Sequence, residues 1–201
     1  MRSKTILLIG IVLGLLLVVF AGSLFITIPY RIQGSLIEPP IIAGEINLTR
    51  QDGSIYRLSE QRGKFVVIFF GYTHCPDICP ATLTEFQKIK KGLKNRSDDV
   101  QFVFITVDPE RDTPAELAAY LDYFDPAFIG LTADRSELEP VWKAYGVYQL
   151  KQSANSAAGY LVDHSTRMYV VDPHGNLILT YPFGFETEKI SVDLAYLVKN
   201  Q

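Results

Sequence analysis

Two kinds of hydrophobic pattern divide the chain. From Ile6 to Ile28 it carries no charge, and only Ser23 and Thr27 interrupt an apolar run. A helix of that length is about 35 Å long, enough to cross a ~30 Å hydrocarbon core. Arg2 and Lys4 precede the run, so the positive-inside rule leaves the N-terminus cytoplasmic and sends residues 29–201 outward. The length of the stretch favours an uncleaved anchor over a secretory signal cut near Ala21-Gly22-Ser23, and no cysteine follows closely enough for a lipoprotein anchor. The expectation is one transmembrane helix through the lipid bilayer (residues 6–28) of a bacterial inner (plasma) membrane, with the remaining domain on its outer side.

Beyond the run, short apolar segments alternate in period. Phe65-Val66-Val67-Ile68-Phe69-Phe70 is wholly apolar, as a central strand buried on both faces reads. Leu83, Phe86, Ile89 and Leu93 then recur at helical spacing. Val100–Val107 predicts a second buried strand. Thr113-Pro114 is an N-cap and first helical position for a helix through Phe124. A short strand around Phe128–Leu131 follows, and Ser136-Glu137-Leu138-Glu139 reads as a capping box opening a helix to Tyr145. Alternating residues around Asp52-Gly53 predict a hairpin over 46–58, and Asp172–Asn176 predicts a second between strands 167–171 and 177–181. A last helix spans roughly Thr187–Val198. Residues 151–159, rich in Lys, Gln, Ser, Asn, Ala and Gly, read as a mobile loop. The organisation expected is therefore a cytoplasmic tip and anchor over 1–28, a linker over 29–43 containing Pro39-Pro40, and one domain over 44–201. Strands alternating with helices, then an antiparallel hairpin, make an α/β fold with a mixed sheet flanked by helices. The cysteines after the first buried strand point to the thioredoxin-like version of it.

Composition narrows the chemistry. A net charge of −3 without long single-sign runs gives no reason to expect nucleic-acid binding. Two cysteines are too few for a disulfide scaffold, and two methionines and three histidines exclude a Met-rich or His-rich metal tract. Both cysteines, Cys75 and Cys79, lie directly after the central strand, where α/β folds place their chemistry. Pro80 lacks an N–H and fits only the first turn of a helix, so the helix begins near Cys79. Free N–H groups there stabilise thiolates. A four-residue separation lets two sulfurs converge, which suits a redox-active disulfide and a soft metal equally.

His164, in Val162-Asp163-His164-Ser165, favours the metal. In a thioredoxin-like sheet the loop entering the next strand packs against the cysteine loop, where thiol oxidoreductases of this fold carry a cis-proline. No proline lies between Pro140 and Pro173. An imidazole stands there instead, the third ligand a two-thiolate copper site wants. His74 and His174 read as ordinary surface histidines. Asp108-Pro109-Glu110-Arg111-Asp112 reads as a turn with an Arg111–carboxylate network, or as a guide for a partner. A peroxide-reducing site would need an arginine beside the cysteines, and the cysteine loop has none.

Gly71-Tyr72-Thr73-His74-Cys75-Pro76-Asp77-Ile78-Cys79-Pro80, Val107–Thr113 and Val162–Ser165 together resemble the Sco/SenC copper chaperones, from about Gly44 to the C-terminus. The resemblance implies a membrane-anchored thioredoxin-like domain holding Cu(I) or Cu(II) through Cys75, Cys79 and His164. It implies a metallochaperone rather than an enzyme, acting on the binuclear copper centre of cytochrome c oxidase subunit II, with a copper donor protein and a thiol reductant as further partners. The alternative is a thiol–disulfide reductase that keeps the cysteines of the oxidase copper site reduced.

Overall fold

A computed structural model describes residues 2–26, 30–156 and 159–201. The chain divides into two units, Met1–Arg31 and Ile32–Gln201. In the first, helix α1 runs Arg2–Ile26, and its described large apolar side chains, from Ile6 to Phe20, are exposed. Among the described residues, no helix is long and apolar enough to cross a membrane. Thr27, Ile28 and Pro29, where the expected span ends and the linker begins, lie outside the described residues, as do 157 and 158 of the expected loop.

The second unit is built on an eight-stranded mixed sheet. Its strands are β1 (Ser35–Ile42), β2 (Asn47–Arg50), β3 (Ile55–Arg57), β4 (Phe65–Gly71), β5 (Val100–Thr106), β6 (Ile129–Thr132), β9 (Met168–Val171) and β10 (Asn176–Tyr181), in the order β1-β10-β9-β4-β5-β6-β2-β3. The apolar run 65–70 takes the central place it predicts: all seven residues of β4 are buried. It pairs in parallel with β5 and antiparallel with β9. Each such large apolar side chain contributes about 1.5–3 kcal/mol when withdrawn from water. Helices α2 (Ile78–Leu93), α3 (Pro114–Asp122), α4 (Arg135–Ala144) and α5 (Thr187–Lys199) flank the sheet, giving the expected thioredoxin-like α/β fold. Leu83, Phe86, Ile89 and Leu93 form the buried stripe of α2. Thr113 caps α3 by accepting from the Glu116 N–H.

Three sequence expectations change. Residues 35–42, read as part of a linker, are strand β1, paired with β10. Pro39-Pro40 misleads there. Prolines are tolerated on an edge strand, and the register breaks between Leu36 and Ile41. Helix α4 is capped from Asp134 without a side-chain hydrogen bond, so Ser136 lies inside its first turn and makes no capping box. Residues 151–159, read as a loop, belong largely to a hairpin of β7 (Gln149–Ser156) and β8 (Gly159–His164), a two-stranded sheet apart from the main one. Its composition is polar because backbone pairing, rather than a buried face, forms it; Val162 is the one buried residue of β8.

Candidate metal centre

The site forms where β4 runs out. Gly71 is its last residue, and a Cβ there would lie 2.8 Å from Cys79 Sγ and 2.8 Å from the Phe104 ring. Only glycine lets the thiol sit directly against the end of the central strand. The loop Tyr72–Asp77 then turns into α2, whose first residues are Ile78, Cys79 and Pro80. Cys79 is buried and Cys75 half-buried. The N–H of Cys79, one of the first-turn donors with no partner inside a helix, points at Cys75 Sγ at 3.4 Å. Cys75 Sγ therefore takes up one of the free N–H groups at the start of α2, whose N-cap position is Asp77.

That arrangement separates the two thiols. The side-chain hydrogen bond from the Cys79 thiol holds Cys75 at about 4 against the opposing effect of burial, with the backbone N–H groups of Asp77 and Cys79 adding to it. Burial, reinforced by the neighbouring Cys75, pushes Cys79 well above the usual thiol range. The pair thus holds one thiolate, on Cys75, and one thiol, on Cys79.

His164 reaches the pair from the far end of β8. Its Nδ1 lies 2.9 Å from the Ser165 carbonyl oxygen. A carbonyl only accepts, so Nδ1 carries a proton, which leaves Nε2 as the nitrogen that can offer a lone pair to a metal. Nε2 lies 3.5 Å from Cys79 Sγ. The rings of Phe69 and Tyr72 meet the imidazole edge-on, at 6.0 and 5.8 Å between centroids. The donor atoms of Cys75, Cys79 and His164 all lie within 4.8 Å of one another, and they are the one such group of three or more among the described residues. Two soft sulfurs and an imidazole nitrogen suit copper, as the chemistry of the donor set requires. A cavity of about 370 Å³ opens on Cys75 and His164, with Pro76, Ile78 and Leu161 among its walls.

The other two histidines stay outside. His74 Nδ1 meets Thr73 Oγ1 at 2.9 Å, and His174 is exposed in the Asp172–Gly175 turn. Asp108 and Asp112 do more than shape a turn. Buried Asp112 accepts from Thr73 N–H and Thr73 Oγ1 in the cysteine loop and from Thr106 Oγ1 at the end of β5. Burial pushes its carboxyl above the usual range. Asp108 pairs with Arg111, as the sequence suggests, and also accepts from Tyr160 Oη at 2.7 Å. Tyr72 Oη accepts the Val162 N–H at 3.2 Å. Sequence reasoning passes over Tyr72 and Tyr160, because a tyrosine carries no pattern that names its distant partner.

Residues 35–199 match the SCO1/SenC family. A SCO2-like protein of Rickettsia felis is 35% identical over 179 residues, covering 85% of this chain and 87% of that protein. Among solved structures, Bradyrhizobium japonicum ScoI with copper bound is 37% identical with a TM-score of 0.71, covering 78% of this chain and 99% of that one. Arabidopsis thaliana ScoI with copper bound is 35% identical with a TM-score of 0.74, covering 80% of this chain and 99% of that one. With fold, donor set and sequence in agreement, the chain belongs to the SCO1/SenC family.

Proposed function

We propose that this protein is a copper chaperone that takes copper as cargo on Cys75, Cys79 and His164 and hands it on by ligand exchange. The observation that carries the reading is the convergence of two sulfurs and a correctly tautomerised imidazole, from segments 85 residues apart, within 4.8 Å. Copper-bound relatives at 35% identity and above support it. Two thiolates hold Cu(I), and the imidazole adds the nitrogen donor Cu(II) prefers. The cavity beside Cys75 gives an acceptor's ligand a way in. As the family resemblance implies, the recipient is the binuclear copper centre of subunit II of cytochrome c oxidase. Residues 6–28 anchor the protein in the membrane and place the second unit on its outer side, where the oxidising surroundings can close a Cys75–Cys79 disulfide.

Copper titration of the full chain in mild detergent tests this, with the cysteines first reduced and then oxidised. Binding needs thiolates, so the reduced protein takes up one copper with a sulfur-to-Cu(II) absorption band and the oxidised protein takes up none. Equal uptake by both forms removes the cysteines from the ligand set.

A second reading, thiol–disulfide reductase, draws support from the unequal thiols: a half-exposed thiolate to attack and a buried thiol to resolve. Both readings use the same sulfurs, and only the first needs His164.

A further inference from the structure

We infer that Tyr160 is a positioning residue for His164, clamping the β7–β8 hairpin through the Asp108–Arg111 pair; this rests on the copper reading above. Side chains alternate along a strand, so Tyr160, Val162 and His164 share one face of β8. Among the described residues the hairpin makes no ladder with the main sheet, and an isolated two-stranded hairpin is at best marginally stable in water. Its place is therefore set by what it docks on, and Val162 alone is buried on β8.

The dock is the loop after β5. Tyr160 Oη donates to Asp108 Oδ1 at 2.7 Å, while Arg111 Nε donates to Asp108 Oδ2. Arg111 Nη1 donates to the Tyr160 carbonyl at 3.1 Å, and its guanidinium lies 3.8 Å from the Tyr160 ring centroid. Lys151 on β7 pairs with Glu110 of the same loop and sits 4.6 Å over the Tyr160 ring. Asp108 is fully buried and the Arg111 side chain 17% exposed, so the carboxylate depends on both of its partners. Between clamp and imidazole the strand touches the core at Val162, whose N–H donates to Tyr72 Oη. With the clamp closed, His164 Nε2 stays 3.5 Å from Cys79 Sγ. With it open, the hairpin carries the imidazole away and leaves two thiolates, which hold Cu(I) but lose the nitrogen donor that Cu(II) needs.

The test uses the reduced full chain carrying Tyr160→Phe, which keeps the ring and removes the hydroxyl. Loaded with Cu(II) and mixed with excess chelator, the variant loses Cu(II) about 10-fold faster than the parent, the scale expected for a hydrogen bond to a charged group. Its Cu(II) resonance spectrum shows weakened imidazole-nitrogen coupling, while Cu(I) retention and disulfide formation are unchanged. Arg111→Lys keeps the charge but not the fork or the stacking, and shifts the same readouts in the same direction. In a His164→Ala background, Tyr160→Phe leaves the rate of Cu(II) loss at that of His164→Ala alone. Parental Cu(II) loss with an unchanged spectrum, or an equal acceleration without His164, overturns the inference. If the parent chain takes up no copper, the copper reading fails, and amide hydrogen exchange then judges the clamp alone. Faster exchange at Val162 and His164 in Tyr160→Phe upholds it, and unchanged exchange overturns it.

Discussion

Cys75 and Cys79 follow a strand whose seven residues are all buried, whereas His164 ends a strand with one buried residue. The sulfur side of the site is an extension of the core. β4 lies between two paired neighbours, Gly71 admits Cys79 against Phe104, and Asp112 ties Thr73 to the end of β5. The imidazole side hangs on side-chain contacts at the margin of a separate hairpin. Local opening costs least where buried apolar contacts are few. A site built from both halves holds its sulfurs on the core and its nitrogen donor on a separate hairpin, an asymmetry that suits the carrier proposed above.

The largest effect expected from this contrast is on copper itself. Cys79→Ser removes a sulfur donor and the disulfide together, so both copper uptake and thiol–disulfide cycling are lost. His164→Ala costs Cu(II) affinity on the order of 100-fold or more, since even outer partners of ligands are worth about 10–100-fold, yet its dithiol still opens and closes. Isothermal titration and mass spectrometry of the two variants read this directly. His164→Ala with an unchanged Cu(II) absorption spectrum would remove His164 from the ligand set and move the thiol-reductase reading ahead.

A smaller effect sharpens the core side of the comparison. Gly71→Ala forces a methyl group to within 2.8 Å of both Cys79 Sγ and the Phe104 ring. Overpacking of this kind costs about 1–3 kcal/mol, to be measured by urea unfolding. No comparable loss accompanies Tyr160→Phe, because the hairpin opens locally. Equal losses in the two variants would erase the distinction drawn between the two sides.

The last effect is in pH dependence. Folded Cys75 titrates at about 4 against an ordinary 9.0, so between those values the reduced folded protein holds one proton fewer at this site than the unfolded chain. Stability from this thiolate is fully present above about 9, declines as the pH falls and is gone below about 4. Cys79, shifted upward, acts oppositely above the ordinary thiol range, where the unfolded chain ionises and the folded one resists. Unfolding of the reduced chain across pH 5–8 should show stability rising with pH, with a shallower slope in Cys75→Ser. An identical slope in that variant would place the thiolate elsewhere.

Much of this protein is legible in its sequence where one residue type has one physical use. The apolar run 65–70 suits little but a central strand, Thr113-Pro114 opens α3, and Asp52-Gly53 turns between β2 and β3. Cys75, Cys79 and His164 could be named from spacing, from a missing proline and from the family resemblance, and the fold brings them together. Where a local signal has two uses, the sequence misleads. Pro39-Pro40 fits a linker and an edge strand alike, and the polar stretch 151–159 fits both a loop and a hairpin paired through its backbone.

What only the tertiary structure decided is which of the two thiols is ionised, which histidine nitrogen faces them, and what holds that histidine in place. These depend on the Cys79 side chain bonded to Cys75 and buried beside it, the Ser165 carbonyl beside Nδ1, and Tyr160 reaching Asp108 across 52 residues of chain. The residue types were determined by the sequence alone. Their protonation and orientation follow from hydrogen-bond geometry, between near neighbours for Cys75 and His164 and across 52 residues for Tyr160, which the spacing of apolar residues does not encode.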